Sequence, residues 1–269
     1  REIVRTLPGE HFMTGPVLRP LSMGEILDVS FGMYRALFTP LLLVTIATQA
    51  IPMVISVYVQ TGGGPLDHLG LVFFAAILGM ILKAVAQAAS TFIISESYMG
   101  RRITAGEAFQ RATPFTGRLI LLAILTSFIV GLGLVLFLIP GLILLSGLAL
   151  ASPAMVIEGI GNSTDAMGRA WSLSRGHRFK IFGAIFVTGV LILLPSVALG
   201  GFAAVSSLDP TTAERGISAV GLMWQVVASG LQVLIYPLLY CVLTVAYYDL
   251  RVRKEAFDLE VLAAGLSRA

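Results

Sequence analysis

The sequence has little charge, few histidines and almost no cysteine. Only 12% of its 269 residues are charged, against roughly a quarter in soluble domains. One cysteine, Cys241, leaves no possibility of a disulfide framework within the chain. The three histidines, His11, His68 and His177, are too far apart in sequence to suggest a metal site. We therefore expect no metal and no cofactor.

The sequence also lacks the short motifs that accompany catalysis. It contains no nucleophile elbow and no phosphate-binding Walker loop. Its acidic residues lie almost entirely in loops close to arginines, where ion pairs are their ordinary role. We therefore expect that the chain is not an enzyme.

What the chain has in abundance is apolar sequence. Apolar residues make up 57% of it, and its mean hydropathy is +0.90. A membrane core of roughly 30 Å requires about 20 helical residues, and six apolar stretches approach or exceed that length. They are residues 41–60, 69–95, 119–138, 142–157, 181–205 and 219–248. The sequence predicts an all-α integral membrane protein with six transmembrane helices.

The distribution of lysine and arginine predicts the orientation. Most of the 18 basic residues lie before the first span, between the second and third, between the fourth and fifth, or after the sixth. Positive loops stay in the cytoplasm, so we expect both termini there. The pI near 9.2 reflects this asymmetry, and we expect no nucleic-acid partner.

Three cytoplasmic segments share a helix-start pattern. Residues 22–25, 104–107 and 162–165 each place an acid three residues after a capping side chain, and an apolar pair follows. Such capping sequences begin helices, and each precedes a pair of spans. We predict three interfacial elbow helices and interpret the pattern as a possible threefold pseudo-repeat.

These patterns divide the chain into three parts. Residues 1–21 should form a cytoplasmic arm, residues 22–248 one membrane domain, and residues 249–269 a cytoplasmic amphipathic tail. Residues 249–260 of this tail should form a short surface helix. Pro40 is expected to end the first elbow helix. Helix breaks are predicted within the domain at Pro52, Pro140, Gly141, Pro153 and Pro237.

Three charged residues form a candidate intramembrane polar site: Lys83, Glu158 and Asp249. A lysine within a span is costly and marks a functional site by default; Glu96, Glu158 and Asp249 are its possible partners. Alternatively, Lys83 extends its ammonium group toward the inner headgroups. Glu158 and Asp249 each fit an ion pair with a nearby arginine, Arg169 or Arg175 for Glu158 and Arg251 for Asp249, or a substrate cation.

Basic residues beside the spans are candidate contacts for anionic lipid headgroups. They are Arg101, Arg102, Arg175, Arg178 and Lys180. The alternative is that these residues only anchor the topology. Membrane lipids are therefore the expected partners, with a protein partner in the membrane also possible.

Three parts of the chain carry a family resemblance: residues 18–35, residues 139–171 with their Ile-Pro-Gly and Ser-Pro breaks, and residues 247–260. They resemble a bacterial family of multi-pass proteins that is similar to the membrane domain of some glycerophosphodiester phosphodiesterases. The resemblance implies the membrane fold and a location in the plasma (inner) membrane of a bacterium. It implies no hydrolase activity, because this sequence lacks the soluble catalytic barrel and its metal ligands.

Together these observations predict a non-enzymatic membrane module that organises lipid or a partner protein at the cytoplasmic face. The alternative is a small-solute transporter whose path passes Lys83 and the broken helix pair around Pro140.

Overall fold

A computed structural model describes residues 19–61, 67–206 and 219–255. Within these ranges the chain is helical, with one 3-10 turn at Thr113–Phe115 and no strand. The helices are α1 Met23–Ala36, α2 Phe38–Thr61, α3 Leu69–Tyr98, α4 Ala105–Ala112, α5 Thr116–Leu136, α6 Leu138–Leu148, α7 Ala151–Glu158, α8 Ser163–Ser174, α9 Arg178–Ser206 and α10 Ala219–Glu255.

The predicted fold class is confirmed. Six helical segments in the described ranges are long and apolar enough to cross a membrane. They are Phe38–Val59, Leu69–Tyr98, Ala105–Leu136, Leu138–Glu158, Arg178–Pro195 and Val226–Glu255. The protein is an all-α multi-pass membrane protein, and its fourth span consists of two short helices, α6 and α7.

The short helices α1, α4 and α8 begin where the capping patterns predicted. Ser22 and Thr104 each start a complete capping box with the glutamate three residues later. The third start differs, because the Asn162 side chain accepts a hydrogen bond from the backbone N–H of Thr164 instead of forming a reciprocal pair with Asp165. All three helices lie at one end of the bundle, which we call the basic end.

None of the predicted helix breaks coincides with the end of a helix. Pro52 and Pro237 lie inside the continuous helices α2 and α10, and Pro40 lies in the first turn of α2 instead of ending α1. Pro140 and Pro153 are the third residues of α6 and α7, so the actual breaks precede them. Proline suits the first turn of a helix because the N–H that it lacks has no partner there.

Gly141 is likewise helical, and its role is close packing. A Cβ atom at Gly141 would lie 2.6 Å from the Cα of Leu134, so only glycine lets α5 and α6 approach this closely. The fourth span, which contains Gly141, is also the most enclosed: 61% of its apolar window is buried, against at most 28% in the others. It is the centre of the bundle.

The helix α10 crosses the predicted boundary at residue 249. α10 continues without interruption from Ala219 to Glu255, because Leu250 and Val252 remain buried and hold this part against the bundle. A separate surface helix therefore does not begin at Asp249. The remainder of the predicted tail, residues 256–269, and most of the predicted arm, residues 1–18, lie outside the described residues.

Candidate functional site

Glu158 belongs to an ion-pair network that joins three helices at the basic end. Arg169 of α8 donates hydrogen bonds to Glu158 of α7 at 2.7 and 2.9 Å and to Glu255 of α10 at 2.7 Å. The hydroxyl of Tyr247 donates a hydrogen bond to Glu158 at 2.5 Å. The bonds to Glu255, and then to Glu158, raise the pKa of Arg169 above its usual value. The pair predicted between Glu158 and Arg169 is present, and it fixes the third short helix.

Asp249 forms a second network. Its partners differ from Arg251, the partner predicted for it. Its side chain is 1% exposed and accepts hydrogen bonds from Lys180 at 2.6 Å and from Arg253 at 3.1 Å. The backbone N–H of Leu21 also donates to Asp249, at 2.6 Å. Lys180 and Arg253 both donate to the carbonyl oxygen of Leu21. This network therefore ties the start of α1 to α9 and α10.

Lys83 does not pair with any of its three predicted partners. Its ammonium group lies over the ring of Tyr236, 5.0 Å from the centroid, and the residue is exposed on α3. Glu96, one of the three, instead accepts hydrogen bonds from Arg101 at 2.5 Å and Arg111 at 2.9 Å. The structure therefore does not bring Lys83, Glu158 and Asp249 together as one site.

The five basic residues predicted to bind headgroups separate into two groups. Arg101 is occupied by Glu96 and Lys180 by Asp249. In the part of the chain that the structure describes, Arg102, Arg175 and Arg178 have no acidic group within 4.0 Å. Arg175 and Arg178 are also close in sequence to Phe179, an aromatic residue that is 88% exposed.

Arg178 is held in place by an aromatic ring. Its guanidinium carbon lies 3.5 Å from the ring centroid of Trp171, and its Nε is buried without a hydrogen-bond partner among the described residues. The Trp171 ring in turn occupies the space beside Gly147, where a Cβ would lie 2.5 Å from ring atoms. We call Trp171, Arg175, Arg178 and Phe179 the basic corner.

A separate groove follows one side of the fourth span. It has a volume of about 440 Å³ and lies between α3, α5, α6 and α7. Its lining comprises Gln87, Leu119, Leu122, Ala123, Thr126, Ser127, Val130, Gly131, Leu134, Leu145, Leu148, Ala149, Ala151 and Ser152. The groove borders the broken helix pair, but Lys83 is not part of its lining, so the two elements of the transport hypothesis are separate.

Sequence reasoning did not identify the stacking of Arg178 on Trp171, the roles of Glu255 and Arg253, or the groove. The spacing of Asp249 to Arg253 and of Arg251 to Glu255, four residues each, is a signal for ion pairs within a helix, and both pairs are present. The contacts between distant helices have no equivalent local signal.

Comparison with known proteins assigns no family to this arrangement. No protein-family model matches the chain, and no solved structure matches it. The family resemblance predicted from the sequence therefore rests only on the residues quoted for it.

Proposed function

We propose that this protein is a non-enzymatic membrane module that binds the headgroup of an anionic phospholipid at the basic corner and so organises lipid at the cytoplasmic face. The observation that carries the proposal is Arg178 stacked on Trp171 at 3.5 Å, beside exposed Arg175 and without an acidic partner in the described ranges. The cytoplasmic location follows from the positive-inside rule.

The surroundings favour this corner over the basic residues that already form ion pairs. Arg101, Arg111, Arg169, Lys180 and Arg253 are already neutralised by glutamates or aspartates. For any of these residues to bind a lipid phosphate, its existing ion pair would have to break. Arg175 and Arg178 offer positive charge without that cost.

The chemistry of the corner suits a lipid phosphate. A guanidinium group presents a planar fork of donors that matches phosphate oxygens, and stacking on Trp171 fixes its orientation while leaving its charge intact. Tryptophan is favoured at the level of the headgroups, and Phe179 next to Arg178 is exposed for contact with acyl chains. Each basic residue near an anionic surface contributes about 1 kcal/mol.

Native mass spectrometry of the protein purified with its membrane lipids tests the proposal. We expect wild type to retain anionic phospholipid, and Arg175→Gln with Arg178→Gln to lose it. The matched control is Arg35→Gln with Arg118→Gln, which removes the same charge from two exposed positions of the same end. Arg175→Gln alone, a change at an exposed side chain, should give an intermediate loss with the fold intact.

Two results would contradict the proposal. Equal losses in the corner variant and the control would mean that total charge, and not this corner, retains the lipid. Retention of anionic lipid by the corner variant at the wild-type level would mean that Arg175 and Arg178 are topology anchors.

A further inference from the structure

We infer that Lys83 marks a docking surface for another membrane protein, whose spanning helix carries an aspartate or glutamate near its midpoint. The surface lies on the exposed side of α3, beside Tyr236 of α10. It is separate from the basic corner, where α8 and α9 meet α6 at Gly147. The inference goes beyond the proposed function and does not rest on it.

Lys83 lies close to the middle of the membrane. Along α3 it is about 24 Å from the level of Asp67 and about 20 Å from that of Glu96, at the rise of an α-helix. The two separations together match a bilayer with its headgroups, roughly 40–45 Å thick. The four-carbon stem of a lysine is much shorter than half of the roughly 30 Å hydrocarbon core. This depth puts the headgroups of both leaflets beyond the reach of the ammonium group.

The described chain gives this ammonium group a ring but no carboxylate. The ring centroid of Tyr236 lies 5.0 Å from the ammonium nitrogen. None of the acidic residues in the described ranges forms an ion pair with Lys83. A cation–π contact offsets only part of the cost of a lysine at the centre of a span. A carboxylate at the same depth is the group that would offset the rest.

Lys83 also faces out of the bundle. Charged residues within spans almost always face the interior of a bundle or a water-filled cavity, whereas Lys83 is exposed. Phe73, Ala76 and Met80 are exposed as well, and their spacing of three or four positions places them with Lys83 on one stripe of α3. Nearer the basic end the helix enters the core, where residues 88–91 are buried. One further helix along this stripe would make Lys83 an interior residue.

Neither a second copy of this chain nor a lipid supplies the carboxylate. All 15 acidic residues lie outside the six spans or within seven residues of the basic end of one. The one farthest from the end of its span, Asp249, is buried and paired with Lys180 and Arg253. A lipid phosphate stays at the level of the headgroups. The complementary acid therefore belongs to the spanning helix of a different protein.

Photo-crosslinking to a designed membrane helix tests this surface. The probe is a peptide of leucine and alanine with lysines at both ends, one aspartate at its centre and a photoreactive leucine one turn away. The matched peptide has leucine in place of the aspartate. Phosphatidylcholine nanodiscs keep the lipid zwitterionic, so the result is independent of the anionic selectivity proposed for the basic corner. We expect about tenfold more adducts with the aspartate peptide, the size of a strong polar contact between membrane helices, on residues 73–83.

Three variants and one displaced probe assign this preference to the charge and depth of Lys83. Lys83→Met should abolish the preference, and Lys83→Arg should retain it because the positive charge stays at the same depth. Arg35→Gln is the matched control, since it removes the same charge from an exposed position at the basic end, and it should leave the preference unchanged. A peptide whose aspartate is displaced by seven residues, about 10 Å, should react no better than the leucine peptide.

Equal adduct yields for the aspartate and leucine peptides would overturn the inference, as would a preference that persists in Lys83→Met. An undiminished preference for the displaced aspartate would also overturn it, because the depth of the acid would then not matter. Dimers of the chain alone that depend on Lys83 in native mass spectrometry would overturn it too, because a second copy would then cover this surface.

Discussion

At the scale of single residues, Arg169 should contribute substantially to stability at the basic end. It joins α7, α8 and α10 through two carboxylates, and its side chain is 26% exposed. Arg169→Gln should lower the free energy of unfolding by about 2 kcal/mol, because Glu158 and Glu255 lose a charged hydrogen-bond donor. Equilibrium unfolding in mixed micelles measures the change. Arg35→Gln, at an exposed position, is the control, and equal stability of both variants would contradict the role assigned to Arg169.

Lys83 and Tyr236 provide a second test at this scale. Their cation–π contact should give a coupling energy of about 1 kcal/mol in a double-mutant cycle of Lys83→Met and Tyr236→Leu. Lys83→Met by itself should not destabilise the fold, because it also removes a charge that is costly within a span. A coupling energy near zero would show that Lys83 is directed away from the ring.

The sequence indicated which charged residues are unusual for a membrane span, but it did not predict which residues they contact. Glu158 and Arg169 are separated by one short connection, so their pair was predictable. Lys83 and Tyr236 lie in different spans, and whether they meet depends on the rotation and crossing angle of α3 and α10, which apolar periodicity does not determine. The same holds for Asp249, whose partner Lys180 comes from α9.

At the scale of helices, the capping box of α1 should make stability depend on pH. The backbone N–H of Ser22, followed by the Arg19 side chain, lowers the pKa of Glu25 from 4.5 to about 2. Because the folded-state pKa is lowered, the carboxylate stabilises the fold above pH 4.5, and this contribution is lost as the pH falls toward 2. Unfolding measured from pH 6 to pH 2.5 should show wild type and Glu25→Ala converging at the acidic end. A difference that is independent of pH would contradict this.

Helix starts were predictable from the sequence, whereas helix ends were less so. A capping box is a local pattern, and Ser22 and Thr104 both form one. Proline gave a misleading signal, because its fixed φ fits the first turn of a helix as well as a break before it. Pro153 marks the first turn of α7, and the break at Ala149–Leu150 lies just upstream.

At the scale of the whole molecule, composition was sufficient to predict six spans, and the basic segments predict the orientation. Cysteine labelling in intact cells tests that orientation. Asp67→Cys and Arg102→Cys place thiols at exposed positions at opposite ends of the bundle, while Cys241 is buried. An impermeant reagent should label Asp67→Cys before lysis and Arg102→Cys only afterwards. The reverse pattern would overturn the proposed orientation and place the basic corner outside the cell.

The groove and the basic corner arise only at this scale, since each needs several helices. The corner combines α6, α8 and α9, and it carries the proposed function. Of the two tryptophans, Trp171 belongs to the corner and Trp224 to α10, so Trp224→Phe makes Trp171 fluorescence a direct reporter.

The most direct measurement is the quenching of Trp171 in the Trp224→Phe variant by acyl-brominated phospholipids, with anionic and zwitterionic forms compared at the same molar fraction. Selective binding at the corner predicts stronger quenching by the anionic lipid and loss of that preference in Arg175→Gln with Arg178→Gln. Equal quenching by both lipids would contradict the claim that this protein organises anionic lipid at the basic corner.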